Sequence, residues 1–251
     1  MTRPSPSAPP QVALDFQPLH RPLYAQVRER LIRRLAEGAW PAGAMLPSEP
    51  ALAAELGVSQ GTVRKALDAL TAENLLVRRQ GRGTFVARHD ERRILFQFFR
   101  LVPDHGERQF PESRVLAIAT VAANGRERVR LSLPAGARVI RIRRLRSMGG
   151  RATIAESIAL PEALFPGLAG RALPNNLYGL YAEEYGVSIA RASERLKVMN
   201  LSRADAALLG AAAGTAALLI DRAAIAIDGR PVEWRLSRCL TRHLHYVSEL
   251  A

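Results

Sequence analysis

Gln60, Gly61, Arg64 and Lys65 fall within six residues and share one side of a helical period, a side kept polar while Val63, Ala66, Leu67 and Leu70 take the other. An arginine on an exposed helix face can donate two hydrogen bonds to O6 and N7 of guanine, and a glutamine one turn earlier can pair with adenine. Arg64 and Gln60 therefore have the chemistry of base reading in the major groove of DNA, and Gly61 lets the backbone approach closely. Ser59 and Thr62 suit phosphate contacts, and Ser48 can present a helix N-terminus to phosphate. Arg82, between Gly81 and Gly83, is pushed outward by a tight turn, from which it can enter the minor groove.

The elements that must hold these residues are legible around them. From Leu23 the residues Tyr24, Val27, Leu31 and Leu35 keep helical spacing, with Gly38 placed to end the helix. Ser48 caps a second helix through Leu56, with Pro50 in the first turn where no intrahelical N–H is needed, and Gly57 stops it. Ser59 caps the third. Leu75–Val77 and Thr84–Val86 then read as two short strands around Gln80-Gly81-Arg82-Gly83. Two helices joined by a short glycine-containing turn and followed by a glycine-tipped hairpin are the parts of a winged helix-turn-helix, expected over residues 20–89.

Beyond Arg93 the pattern changes to strand-like runs at Val115–Ala122, Val139–Arg146, Thr153–Leu160, Ser188–Met199, Ala217–Ala226 and Val232–Leu240, which predict a second, α+β unit over residues 94–248. Leu131-Ser-Leu-Pro-Ala-Gly136 before one strand resembles Leu209-Gly-Ala-Ala-Ala-Gly214 before another. Each copy goes on to a turn, Gly149-Gly150-Arg151 or Asp228-Gly229-Arg230, and to a strand bearing Glu156 or Glu233. A duplicated unit would set those glutamates symmetrically around one cleft; a chance match over so few residues is the alternative.

Composition narrows the classes. Residues 1–18 hold five prolines and no period that can bury a face, and are read as a disordered tail. No apolar run approaches the roughly 18 residues of a membrane span, and no signal peptide heads the chain, so a cytoplasmic protein without a membrane partner is expected. The net charge of +13 suits a polyanionic partner but is spread out. Residues 20–89 carry 11 Lys+Arg against 6 Asp+Glu, or +5, and residues 90–251 carry 24 against 16, or +8. Cys239 is the single cysteine, which excludes an internal disulfide and a cysteine-built zinc site.

The residues carrying the first motif, Leu46-Pro-Ser-Glu49, Leu52-Ala-Ala-Glu-Leu-Gly-Val-Ser59, Thr62-Val-Arg64, Ala66-Leu67 and Arg79-Gln-Gly-Arg-Gly-Thr-Phe-Val86, resemble the GntR family of bacterial transcription regulators over Pro22 to Val86. Pro50 and Gln60 depart from it, standing where many members have arginine. Arg144-Leu-Arg146, Glu156 to Pro161, Leu164-Phe-Pro-Gly-Leu168, Asn176-Leu-Tyr178, Tyr185-Gly-Val187 and Asp228-Gly-Arg-Pro-Val-Glu233 resemble the UTRA ligand-binding domain of the HutC branch. That resemblance implies a chorismate lyase-like α+β fold with a central antiparallel sheet, and an effector cleft in which Arg144, Arg146, Asn176 and Tyr178 hold a phosphate or carboxylate. Two arginines two apart on a strand share one face and can grip an anion bidentately, and Glu156 and Glu233 can accept from hydroxyl or amino groups. A small anion such as a sugar phosphate is the expected ligand. The alternative for both arginines is a strand ion pair with a neighbouring glutamate.

The reading is thus a homodimeric regulator on a palindromic operator of double-stranded DNA, a repressor as the family resemblance implies, with no cofactor and no bound metal. Two other readings stay open: a ligand-independent architectural DNA binder, and an enzyme of chorismate lyase-like fold using Cys239 as nucleophile or His243 and His245 as metal ligands. The enzyme reading lacks a positioned base and a third metal ligand.

Overall fold

The computed structural model of the chain describes residues 21–87, 98–107 and 110–248. The tail expected at 1–18 lies outside these residues. Helix α1 (Leu23–Ala36) buries Val27, Leu31 and Leu35 along one stripe. Helix α2 (Glu49–Leu56) starts where the Ser48 hydroxyl accepts from the Ala51 amide at 3.3 Å, and it ends at Gly57 in the left-handed conformation. Helix α3 (Gln60–Ala72) starts on Ser59, which accepts from the Thr62 amide at 3.2 Å, and buries Val63, Ala66, Leu67 and Leu70. These side chains close one core with Leu46, Leu52, Leu56 and Leu76. Strands β1 (Leu76–Arg79) and β2 (Gly83–Val86) pair antiparallel as the wing, turned by Gly81 at φ 67° and Gly83 at φ 109°. The backbone of Leu46 donates to Thr84 at 2.8 Å and so ties the wing to the segment before α2.

The remainder is built on a six-stranded antiparallel sheet of β4 (Glu112–Ala122), β5 (Arg138–Met148), β6 (Arg151–Pro161), β7 (Ile189–Asn200), β8 (Ala216–Ala226) and β9 (Pro231–Cys239), in spatial order β4-β5-β6-β9-β8-β7. Helices α4 (Gly125–Leu131) and α6 (Arg203–Leu209) precede β5 and β8, and α5 (Leu177–Tyr185) precedes β7. The α+β class is as expected. Strands β3 (Leu101–Pro103) and β10 (Leu244–Tyr246) form a small separate pair, too short to show an alternating pattern in the sequence.

The duplication is visible as topology. β4-α4-β5-β6 and β7-α6-β8-β9 are the same unit laid twice, meeting at β6 against β9. Even the register irregularities match: one falls after Arg146 on β5, the other after Ala224 on β8. The rung Arg144 opposite Glu156 therefore corresponds to Arg222 opposite Arg235, and Arg146 opposite Ile154 corresponds to Ala224 opposite Glu233. The expected symmetry of Glu156 with Glu233 fails, because the two lie two residues out of step: the counterpart of Glu156 is Arg235.

Strand alternation sorts the two faces. Val139, Leu145, Ala155 and Ala159 face the side of α4 and α6, while Ile140, Ile142, Ile158 and Leu160 face Tyr178 and Tyr181 of α5. Arg144, Arg146 and Glu156 continue the α5 face, so the strand period delivers charges into a closed layer. The head also touches the sheet, since Ala190 and Ile227 pack against its core.

Leu67, 1% exposed at the centre of the head core, sets the position of α3. Leu67→Ala is expected to destabilise the head by about 2–5 kcal/mol in urea unfolding; a loss well below 1 kcal/mol would show that α3 is not seated by close packing.

Candidate functional site

The first site is the outer face of α3 with the wing. Gln60, Gly61, Arg64 and Lys65 are exposed, as are Ser48, Ser59, Gly81 and Arg82, and Thr62 is half-buried. A Cβ placed on Gly61 would meet only the Ser59 hydroxyl, at 3.9 Å, so this stretch of helix presents bare backbone outward. Ser59 and Thr62 are joined through their hydroxyls at 2.9 Å. The structure thus brings together the residues expected to read DNA, with the wing-tip Arg82 on the turn beyond β1.

It also shows a residue that the spacing did not single out. Glu49, in the first turn of α2, accepts from Arg64 Nε at 2.9 Å, from Gln60 Nε2 at 3.4 Å and from Arg78 of β1 at 3.1 Å. Arg78 also reaches Asp68 of α3 at 2.9 Å. One carboxylate therefore links α2, α3 and the wing, and fixes the stem of Arg64 while that side chain stays 56% exposed. Its signal in the sequence is an acid in a helix's first turn, which the helix dipole alone would explain.

The second site is the charged layer under α5. Glu156 accepts from Arg144 Nε and from the Ser237 hydroxyl at 3.2 Å, with Arg235 at 3.6 Å and Arg146 at 3.9 Å. Burial pushes the Glu156 carboxyl up, but Arg144, Arg235 and Arg146 together hold it well below the usual carboxylate range. Arg235 donates to both oxygens of Glu233, at 2.9 and 2.7 Å. Tyr178 and Tyr181 donate their hydroxyls to the same carboxylate at 3.2 and 2.9 Å. Burial, and then Glu233, raise the Tyr178 phenol to about 12, so it remains a donor.

Arg146 is the least satisfied member. Its NH2 reaches the Pro111 carbonyl at 3.3 Å and its guanidinium lies 5.2 and 5.0 Å from the ring centroids of Phe99 and Phe110. Its Nε is buried without a hydrogen-bond partner among the described residues, as is Oδ1 of Asn175. Burial, and then Arg144, hold Arg146 well below the usual arginine range. Arg222 completes the layer, donating Nε to Glu194 at 2.5 Å and NH2 to the Phe98 carbonyl. Two cavities of about 20 Å³ each flank this cluster, both lined by Phe99, Arg146, Arg222 and Arg235, one reaching Arg144, Asn176 and Tyr178 and the other Glu156.

Three expectations change. The alternative of a strand ion pair is realised for Arg144 with Glu156. Asn176 lines the cavity, but its side-chain oxygen caps α5 by accepting from Gly179 at 2.9 Å. Glu233 is fully buried and engaged by Arg235 and both tyrosines, so it positions those groups and does not line either cavity. Arg222 and Arg235 were missed, although the internal repeat contained the signal: Arg222 occupies in the second copy the place of Arg144 in the first.

The residues weighed for catalysis lie apart from this layer or are shut off. Cys239 is buried, and burial pushes its thiol up and away from nucleophilic reach. His245 pairs with Asp104 at 2.9 Å. Among the described residues no three His, Cys, Asp or Glu side chains form a metal-binding group, and no helix is long and apolar enough to cross a membrane.

Comparison with known proteins agrees with both halves. Residues 23–86 match the model of bacterial regulatory proteins of the gntR family, and residues 107–245 match the UTRA domain. A histidine utilization repressor of Pseudomonas putida is 39% identical over 119 residues; that match spans 47% of this chain and about half, 48%, of the relative. The HTH-type transcriptional regulator SmoD of Agrobacterium fabrum is 30% identical over 215 residues, covering 84% of this chain and 89% of its own. The ligand-binding domain of a GntR-family regulator from Bordetella bronchiseptica superposes with a TM-score of 0.56 at 37% identity, covering 61% of this chain and 96% of that one. A winged helix with a presented reading face, followed by a UTRA sheet with its charged layer, makes this chain a member of the gntR family of the HutC type, a DNA-binding transcriptional regulator and not an enzyme.

Proposed function

We propose that residues 20–89 read a palindromic operator as one head of a homodimer, that residues 94–248 provide effector binding and dimerisation, and that the effector is a small anion such as a sugar phosphate. The observation that carries the effector class is the charge of the buried layer. Arg144, Arg146, Arg222 and Arg235 stand against the carboxylates of Glu156, Glu194 and Glu233, a surplus of positive charge under 10% exposed at each arginine. A buried charge without a counter-charge is costly, and an entering anion relieves it. Tyr178 and Glu156 suit the hydroxyl or amino groups of such a ligand. Kinship with repressors supports operator release on ligand binding as the sign of the response.

A thermal-shift screen of sugar phosphates and small carboxylates tests the class. A true effector at 100 times its Kd is expected to stabilise the chain by about 2.7 kcal/mol through mass action, and Arg146→Ala to abolish that shift; a screen in which no anion stabilises the protein contradicts the reading.

On the DNA side, Arg64→Ala is expected to cost roughly 1–3 kcal/mol of specific operator binding and to relax discrimination at one base position, whereas Arg82→Ala weakens binding more evenly across sequences. Unchanged base preference in the Arg64 variant removes that residue from reading. Glu49→Ala leaves Arg64 chemically intact but unheld, so it is expected to lower the ratio of specific to non-specific affinity by about tenfold, equivalent to about 1.4 kcal/mol, as measured by competition binding on operator and scrambled duplexes.

A further inference from the structure

The cavities beside Arg146 and Arg222 hold about 20 Å³ each, room for about one water and far less than a metabolite needs. A metabolite enters only if a wall moves. On most sides the walls are strands β5, β6, β8 and β9 and helix α5. The rest is loop: Phe110, Asn175 and Asn176, and Phe98 to Arg100, which leads into β3. This stretch also follows the wing in the chain, so it lies on the covalent path from the head.

Two contacts of Phe98 hold that wall. Its ring meets Tyr178 edge-on, with centroids 5.2 Å apart, and its carbonyl accepts from Arg222 NH2. Arg222 in turn donates Nε to Glu194, which also accepts from the hydroxyl of Tyr246 on β10. Arg222 lines both small cavities, and it also lines the hollow of about 650 Å³ that separates Arg28 and Glu73 of the head from β7. Among the buried arginines of the described residues it is the one that lines both the small cavities and the gap beneath the head.

We propose that Arg222 is the positioning residue that couples the cavity to the DNA-binding head, holding the Phe98 carbonyl when the cavity is empty and yielding that bond to an incoming anion. The inference rests on reading the cavity as an anion site. Its physical basis is a ranking of acceptors: a guanidinium gains the Coulomb attraction of opposite charges from an anionic oxygen and not from a neutral carbonyl. Arg222 therefore keeps Glu194 and surrenders the neutral carbonyl. Release of Phe98 frees its ring from Tyr178 and opens the cavity in the same movement, so ligand entry and displacement of the chain leading from the head are one event.

The test compares full-length wild type with Arg222→Gln, Arg222→Lys and Arg138→Gln, by amide hydrogen exchange over residues 98–103 and by operator affinity, all without ligand. Arg222→Gln is expected to exchange at least tenfold faster in this stretch and to bind operator at least tenfold more weakly, mimicking the ligand-bound state. Arg138→Gln, which removes an exposed arginine–glutamate pair of β5 with Glu162 outside the buried layer, is expected to stay within twofold on both readouts. Arg222→Lys keeps the charge for Glu194 but lacks the second arm, so it is expected to follow Arg222→Gln with less loss of stability, and it carries the test if the glutamine variant does not fold. Wild-type exchange and operator affinity in a folded Arg222 variant overturn the proposal. Inorganic phosphate, as the probe anion, separates the two readings. Loosening of residues 98–103 in wild type but not in Arg222→Gln supports both; no effect of phosphate, with the variant's own loosening intact, removes the anion site and leaves the tether standing.

Discussion

The carboxylate of Glu156, buried among the guanidiniums of Arg144, Arg146 and Arg235, is the constraint around which the sheet unit is organised. Removing an ion pair from water costs several kcal/mol per charge unless the geometry and further hydrogen bonds compensate. Here compensation is distributed: Ser237 donates to Glu156, Arg235 is shared with Glu233, and Glu233 is finished by two tyrosines from α5. Such a layer fixes the strand register and the seat of α5 together, because a slip of one residue would turn every charge to the opposite face. It is also incomplete on one side, at Arg146, and the proposed effector site rests on that incompleteness.

The reading head solves a related problem with the opposite means. Its charges are outside, and a solvated surface pair ordinarily contributes little. Glu49 matters for where it holds things: one carboxylate joins α2, Gln60 and Arg64 of α3, and Arg78 of the wing, so the groups proposed to meet DNA are aligned in its absence. Preorganisation of this sort lowers the ordering cost of binding without adding a contact. The helix starts at Ser48 and Ser59 and the left-handed stop at Gly57 fix the angle at which α3 is offered.

Much of this was legible in the chain because local chemistry marks it. Ser48, Gly57 and Ser59 punctuate the helices, Gly81 and Gly83 turn the wing, and the strands of the sheet carry long alternating runs whose ends the structure moves by only a few residues. What stayed hidden depends on long-range juxtaposition. Arg222 and Phe98 are 124 positions apart, and no spacing rule connects them. Glu49 looks like an ordinary first-turn acid until β1 brings Arg78 to it. The repeat misled in one respect, pairing Glu156 with Glu233 by identity when strand register pairs Glu156 with Arg235; it would have found Arg222 had it been read through the arginines.

On this proposal the cavity and the operator-reading face share one conformational equilibrium. Thermodynamic linkage then requires that the effector change operator affinity by the same factor by which operator changes effector affinity. Titrating the stabilising anion into the full-length protein, with and without saturating operator duplex, measures that factor in one direction, and operator titrations with and without the anion measure it in the other. Equal factors well above one are predicted. Effector affinity that is the same on free and operator-bound protein would contradict the coupling between the buried charged layer and the head.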